Sequence, residues 1–337
     1  MLVFHALARM GFEGLVTVSP QIPLVSVGYF QDAGKEVDLD YCRSSGLPVM
    51  RREVGGGATY LDENQVFYQL IWKKGNPRFP RKISDIFEGL SKPVCDTYRE
   101  FGISARFRPE NDIVTDDERK IAGEGGGDIG DSLVFVGGIL MDFDYQTMCR
   151  VLRVPDEKFR DKIHKSMEEN LTTMKRELGY MPPRDEVTRA LVDNFERRFG
   201  KLEPAPLSKE VIDKMAELER LFTSDEFLHK KTPRIPRGVK IREGVEILYS
   251  TYKARGGLIR TAQEVENGVI KDIGISGDFQ FYPKSELAMV EEELRKTKRK
   301  DRVILSKIED FYNKRKIESP GVEPENITEA IMAAKQS

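Results

Sequence analysis

Cysteine, histidine and tryptophan are scarce in this 337-residue chain, with three, three and one copies. Each scarcity removes a class of function. Cys42, Cys95 and Cys149 are scattered, odd in number and without CxxC spacing. Neither a disulfide framework nor a zinc site is expected, and a reducing cytoplasm is the expected compartment. His5, His164 and His229 are too few for a multi-histidine metal centre. No apolar run is long enough to cross a bilayer, and the stretch after Met1 does not read as a cleavable signal peptide, so no membrane role is expected. An excess of one charge is lacking too. Lys and Arg number 54 against 56 Asp and Glu, a formal net charge of −2, which argues against binding nucleic acid by broad phosphate neutralisation.

What is present suits a water-soluble globular protein, 39% hydrophobic and 33% charged, of a length that favours a main domain and a smaller one. LVTVS (15–19), PLVSVGY (23–29), LPVMRRE (47–53) and VFYQLIW (66–72) read as strands bounded by turn formers. VDLDYCRSSG (37–46) reads as a short helix stopped by Gly46. In residues 83–102, Ile83, Ile86, Phe87, Leu90, Val94, Tyr98 and Phe101 recur at helical spacing and predict an amphipathic helix. Strands follow at ISARF, NDIV, KIAG and SLVFVGGILMDFD. Many short strands with few helices predict an α+β fold around a mixed or antiparallel sheet.

Residues 156–222 read as charged helices, interrupted at MPPRDE and EPAPLS. The prolines of SDEFLHKKTPRIPRG (224–238) predict a linker. A second β-rich piece covers 244–283, with ENG (266–268) as a hairpin turn, and a charged helical pair follows from Lys284. The expected division is a main domain over 1–222, a linker over 223–240 and a smaller C-terminal domain with a helical tail over 241–337.

Two loops carry the candidate chemistry. RREVGGGATYLDENQ (51–65) sets Arg51 and Arg52 beside Gly55, Gly56 and Gly57. Bare glycine backbone can cup an anion, and a guanidinium fork suits carboxylate or phosphate. The same residues also make an ordinary hairpin turn with a surface arginine pair. KIAGEGGGDIGDS (120–132) contains GxGxxG spacing, but a strand follows it instead of a helix, so it is not read as a dinucleotide fingerprint. NDIVTDDERKIAG (111–123) brings Lys120 back from an acidic turn beside Asn111 and Asp112. A strand lysine is commonly just solvated; near two glycine loops it is also a candidate for neutralising a reacting phosphoryl group.

Together RREVGGGATYLDENQ and NDIVTDDERKIAG resemble the paired signature of the lipoate–protein ligase A family, related in fold to biotin–protein ligases and octanoyltransferases. PLVSVGYFQDAGKEVDLDYCRSSGLPVMRRE, GDSLVFVGGILMDFD and VLRVPDEKFRDK resemble the flanking family segments, and residues 253–283 resemble the small accessory domain. The departures are Val54 where a serine is usual, Leu61-Asp62 for His-Asp, and Asn64-Gln65 for Gly-Asn. The resemblance implies that they touch the acyl and nucleotide pocket.

The resemblance implies a biotin/lipoate ligase-like catalytic domain and two half-reactions. Lipoate attacks the α-phosphate of ATP to give lipoyl-AMP and pyrophosphate, and a lysine of a lipoyl domain then takes the acyl group. It implies Lys120 as the catalytic cation. It implies substrate and nucleotide contacts by Gln31, Arg51, Arg52, Gly55, Gly56, Gly57, Tyr60, Asp62, Asn111, Asp112, Ala122 and Gly123. Mg²⁺ would arrive with ATP, with Asp112 its one suggested protein contact. The implied acceptor is a 2-oxoacid dehydrogenase E2, a glycine-cleavage H protein or a specialised lipoate-binding protein, and a monomer is expected. Octanoyltransferases of this fold can use a cysteine just upstream of the lysine motif, yet ARFRPEND (105–112) has none. A non-catalytic lipoate binder is the third reading, disfavoured by a cation placed at the reacting atoms.

Overall fold

The structure is a computed structural model that describes residues 1–233 and 244–336. The N-terminal part runs α1 (Val3–Arg9), β1 (Gly14–Val18), β2 (Leu24–Val27), α2 (Ala33–Glu36), α3 (Leu39–Ser44), β3 (Val49–Arg51) and β4 (Thr59–Leu61). It continues β5 (Gln65–Lys73), α4 (Ile83–Glu100), β6 (Ala105–Arg108), β7 (Asp112–Thr115), β8 (Lys120–Ile129) and β9 (Ser132–Leu140). Helices α5 (Tyr145–Val151), α6 (Glu157–Asn170), α7 (Met174–Leu178), α8 (Arg184–Phe199), α9 (Lys209–Phe222) and α10 (Asp225–Leu228) follow. The C-terminal part comprises β10 (Val245–Ala254), β11 (Gly257–Glu266), β12 (Val269–Gly277), α11 (Glu286–Leu294), α12 (Asp301–Arg315) and α13 (Pro324–Met332).

The main sheet has the order β1-β5-β9-β8-β7-β6 with every neighbour antiparallel. Because side chains alternate along a strand, its two faces do different work. On one face Tyr68, Trp72, Ile121 and Phe135 pack with Phe87, Leu90 and Tyr98 of α4 and Leu191 and Phe195 of α8, forming the largest core. The other face carries glycines and the candidate site. A smaller mixed sheet, β3-β2-β4, stands beside it and holds the Arg51–Gly57 segment. The fold is thus α+β, as the strand-rich pattern of the first 145 residues predicts.

The linker expectation is corrected in part. Residues 225–228 form α10, because Ser224 caps the Phe227 amide at 3.2 Å before either proline is reached. The remainder of that expectation, 234–240, lies outside the described residues.

In the C-terminal part the expected hairpin is present, with Asn267 and Gly268 both at positive φ (50° and 74°). Two consecutive left-handed residues match the right-handed twist of the flanking strands. The expected helical pair is corrected to three helices. Lys296 (φ 60°) and Lys316 (φ 52°) take left-handed conformations that end two of them, and Pro324 opens the third. Phe30 of the N-terminal part stacks on Phe279 at 5.4 Å and joins the C-terminal core. Ion pairs Lys284–Glu53 (2.9 Å), Arg260–Glu36 (2.7 Å), Arg255–Glu110 (2.7 Å) and Lys231–Glu291 (2.9 Å) cross the same boundary.

Candidate functional site

A register of short side chains opens the free face of the main sheet. Arg108 pairs with Asp112 and Asp112 with Gly123, while Phe67 pairs with Gly138. Paired residues point to the same face, so an arginine, a carboxylate and glycines lie in a row. Above them is a cavity of about 440 Å³, on the scale of small-molecule sites. Its body is apolar, with Tyr60, Phe67, Leu140, Phe143, Met148 and Met167 among its walls, and α6 contributes one side. Arg108 and Lys120 supply its cations.

A β-bulge decides where Lys120 points. Val114 pairs with Lys120 but Ile113 pairs with Ala122, so one extra residue is accommodated on β8. Without the bulge, positions 120 and 123 would face opposite sides; with it, both face the cavity. Lys120 Nζ then reaches Asp112 Oδ1 at 2.6 Å, and Arg108 Nη2 donates to Asp112 Oδ2 at 3.0 Å. Burial pushes the Asp112 carboxyl up, but the two cations outweigh it and hold the group below the usual aspartate range. Gly123 makes room for the lysine, since a Cβ there would lie 2.9 Å from Lys120 Cε and Nζ.

The other sequence-predicted residues divide between the cavity and its supports. Tyr60 and Gly123 line the cavity with Lys120. Burial pushes the Tyr60 phenol up to about 12, so it stays protonated at neutral pH. Ala122 is fully buried on the core face. Asn111 Nδ2 donates to the Glu124 carbonyl at 2.7 Å and braces β7 against β8. Asp62 accepts from the Asn64 amide at 2.9 Å, and Gln65 Nε2 donates to Asp62 at 3.5 Å, so three residues of the departing segment bond to one another. Leu61 and Gln65 line the cavity, while Val54 is buried in a core cluster.

Arg51, Arg52, Gln31 and the three glycines are placed differently from a ligand cradle. Arg51 is wholly buried and spends its guanidinium on the main-chain carbonyls of Gly28, Tyr29, Gln31, Phe227 and Leu228. Arg52 donates to Ser26 O at 3.0 Å and to Gly55 O and Gly57 O, both at 2.8 Å. Burial lowers both guanidinium groups to about 10, which leaves them charged at neutral pH. Gln31 Oε1 accepts from the Gly28 amide at 2.9 Å.

In this arrangement of the chain, main chain takes up the space beside the triple-glycine turn. A Cβ at Gly55 would lie 2.5 Å from Phe279 O, and one at Gly28 would lie 1.8 Å from Gly56 O. None of the three glycines lines the cavity, and the turn instead meets the main sheet beyond it. Gly55 O is 3.9 Å from the Cβ position of Gly125, two residues along the same strand face from Gly123, or roughly 7 Å.

For Mg²⁺, the donor set does not form a protein-held site. Both Asp112 oxygens are taken by cations, and no group of three or more His, Cys, Asp and Glu residues is arranged for a metal among the described residues. The cysteines lie away from the cavity lining, and burial pushes the Cys42 and Cys95 thiols up to about 11 and 12.

Sequence reasoning missed Arg108, Phe143, Met148, Met167 and Leu171. Arg108 carried one usable signal, its alternation with Arg106 on a strand leading into the lysine hairpin. The apolar wall residues come from α5, α6 and the segments that flank them, and had none.

Comparison with known proteins bears on the fold and the family. A family described as "Lipoyl protein ligase A/B catalytic domain" matches residues 13–196, and "Bacterial lipoate protein ligase C-terminus" matches residues 248–331. "Octanoyltransferase LipM" of Kyrpidia tusciae is 26% identical over 231 residues, covering 62% of this chain and 84% of that protein. "Lipoate-protein ligase A subunit 1" of Thermoplasma acidophilum is 32% identical over 180 residues, or 51% of this chain and 66% of that protein. Among solved structures, a bipartite lipoate protein ligase from Thermoplasma acidophilum, described with its E2 lipoyl domain, superposes with a TM-score of 0.60 at 27% identity. It covers 70% of this chain and 92% of its own. LipL1 of P. falciparum in complex with lipoate superposes at 0.64 and 18% identity over 95% of this chain and 85% of its own, a likeness of fold. With the catalytic-domain family matching more than half of the chain and the accessory segment matching in order behind it, the chain belongs to the lipoyl protein ligase A/B family.

Proposed function

We propose that this chain is an ATP-dependent lipoate–protein ligase that forms lipoyl-AMP and passes the lipoyl group to a lysine of a lipoyl-domain protein. The observation that carries this reading is the placement of two cations, Lys120 and Arg108, on a mainly apolar cavity with no cysteine in its lining. An apolar body suits a medium-length acyl chain, and the cations suit its carboxylate and a phosphate.

In the first half-reaction a carboxylate oxygen of lipoate attacks the α-phosphorus of ATP. The bond from that phosphorus to the bridging oxygen breaks, and pyrophosphate leaves with the electron pair. Two like unit charges about 4 Å apart repel by roughly 4 kcal/mol at an effective dielectric of ~20. Lys120 counters that repulsion and then contacts the anhydride oxygens. In the second half-reaction the neutral acceptor amine attacks the acyl carbon, AMP leaves, and the amine proton is lost to solvent. Tyr60 and the apolar walls exclude water from the activated acyl group. The Thermoplasma structure with its E2 lipoyl domain supports a lipoyl-domain acceptor.

A second reading, octanoyl transfer from an acyl carrier thioester without ATP, is favoured by the LipM relatives. The two separate on one assay. The ligase releases pyrophosphate only with lipoate, ATP and Mg²⁺ together, and Lys120→Ala abolishes release while the thermal unfolding midpoint stays near wild type. Octanoyl transfer to a lipoyl domain from octanoyl-acyl carrier protein, with no pyrophosphate release, would overturn the ligase assignment.

A further inference from the structure

Asp112 stands outside the roles so far described, and its contacts tie Arg108 to Lys120. The two cations approach one carboxylate from opposite sides, Lys120 on Oδ1 at 2.6 Å and Arg108 on Oδ2 at 3.0 Å. Both cations line the same cavity. Their side chains remain 37% and 39% exposed, so each keeps a surface toward an incoming ligand. One carboxylate between two cations leaves the trio with a single net positive charge.

The other partner of Arg108 is Glu118, where Nη1 lies 3.4 Å from the carbonyl and 3.6 Å from the carboxylate. That carboxylate is 58% exposed on the hairpin tip, so water competes for it and the contact is weak.

We propose that Arg108 is a second catalytic cation that holds two non-bridging oxygens of the nucleotide α-phosphate beside Lys120, and that Asp112 is the positioning residue that sets their spacing. The proposal rests on the adenylate-forming reading. Attack by a carboxylate on a phosphate brings two anions together, and Lys120 alone is half neutralised by Asp112. A guanidinium presents parallel N–H donors that match two phosphate oxygens, whereas an ammonium acts as a point charge. The division of labour is then chemical: Lys120 bridges the carboxylate and the phosphate, and Arg108 orients the phosphate. The carboxylate–phosphorus bond forms and pyrophosphate departs as above, with no further reactant needed. Acyl transfer from a thioester has no phosphate at the reacting carbon and would leave Arg108 without this task.

The test compares wild type with Arg108→Gln, Arg108→Lys and Asp112→Asn in lipoate-dependent pyrophosphate release from ATP with Mg²⁺. Arg108→Gln should lower kcat/KM for ATP by about 100-fold, the usual scale for one preorganised donor, with lipoate affinity unchanged. Arg108→Lys should recover part of the loss. The preference between the two α-phosphorothioate diastereomers of ATP should collapse in Arg108→Gln, which a merely structural arginine would not cause. Asp112→Asn should lower kcat while KM for ATP falls, because a competing anion is gone and the cations lose their spacing. Unchanged ATP kinetics and unchanged thio preference in Arg108→Gln overturn the proposal alone. A wild-type protein with no ATP-dependent release overturns the ligase reading, and this proposal with it.

Discussion

Replacing Gly123 by alanine should disable Lys120 while leaving the sheet intact. The added Cβ would stand 2.9 Å from Lys120 Cε and Nζ, against an ordinary contact of about 3.5–4.0 Å, so the ammonium has to retreat by roughly 1 Å. That retreat stretches the 2.6 Å contact with Asp112 and lifts the charge away from the cavity floor. A misplacement of about 1 Å at the reacting atoms costs on the order of 100-fold in rate, or about 2.7 kcal/mol of barrier. Stability should hardly move. Gly123 is not at positive φ, the neighbour that must shift is the end of a flexible side chain, and alanine in a strand regains about 0.5–1 kcal/mol of glycine's entropy cost. Initial rates of pyrophosphate release, measured beside urea unfolding, check both halves. Gly123→Ala and Lys120→Ala should also be non-additive in ATP affinity, because each acts through the same ammonium. Near wild-type release from Gly123→Ala, or a full additional loss of ATP affinity in the Lys120→Ala background, would refute the idea that the glycine exists to seat the lysine.

Arg52→Ala should destabilise the protein by about 3–5 kcal/mol, since it strands the buried carbonyls of Ser26, Gly55 and Gly57. A urea midpoint close to wild type would show that these contacts contribute little. Glu124 supplies a pH test. Burial, outweighing the hydrogen bonds from Ser91 and Tyr68, raises its carboxyl from 4.5 to about 8. The fold therefore keeps a proton that the unfolded chain loses, so this group's contribution is full below about pH 4.5 and is lost as pH rises through about 8. Glu124→Gln should remove that decline, and parallel stability–pH curves for the two proteins across this window would contradict it. Replacing Cys42, Cys95 and Cys149 together by alanine should preserve acyl transfer at some cost in stability, because all three are buried core thiols. Loss of transfer with an intact fold would point to a thioester route.

The strands and helices that build this protein were largely legible in its sequence because their signals are local. The alternating β-branched runs around Val25, Val66 and Val134 and the helical stripe from Ile83 to Phe101 identify α+β elements. The hairpin at Asn267-Gly268 needs no tertiary information either, since the left-handed backbone is inexpensive for those two residues. The ordered motifs around Arg51 and Lys120 likewise indicate the family. Their division of labour was not legible. Two adjacent arginines beside three glycines look like an anion cup, yet here the guanidinium groups meet main-chain carbonyls from Ser26 to Leu228 and the turn meets Phe279.

Only the folded chain decides that Lys120, Asp112 and Arg108 share a face. That outcome depends on one bulged residue in β8, and a shift of one position reverses the face of every side chain beyond it. Residue type and local spacing determine which elements form. Which charges meet depends on register and on contacts between segments some two hundred residues apart, and no local pattern encodes those.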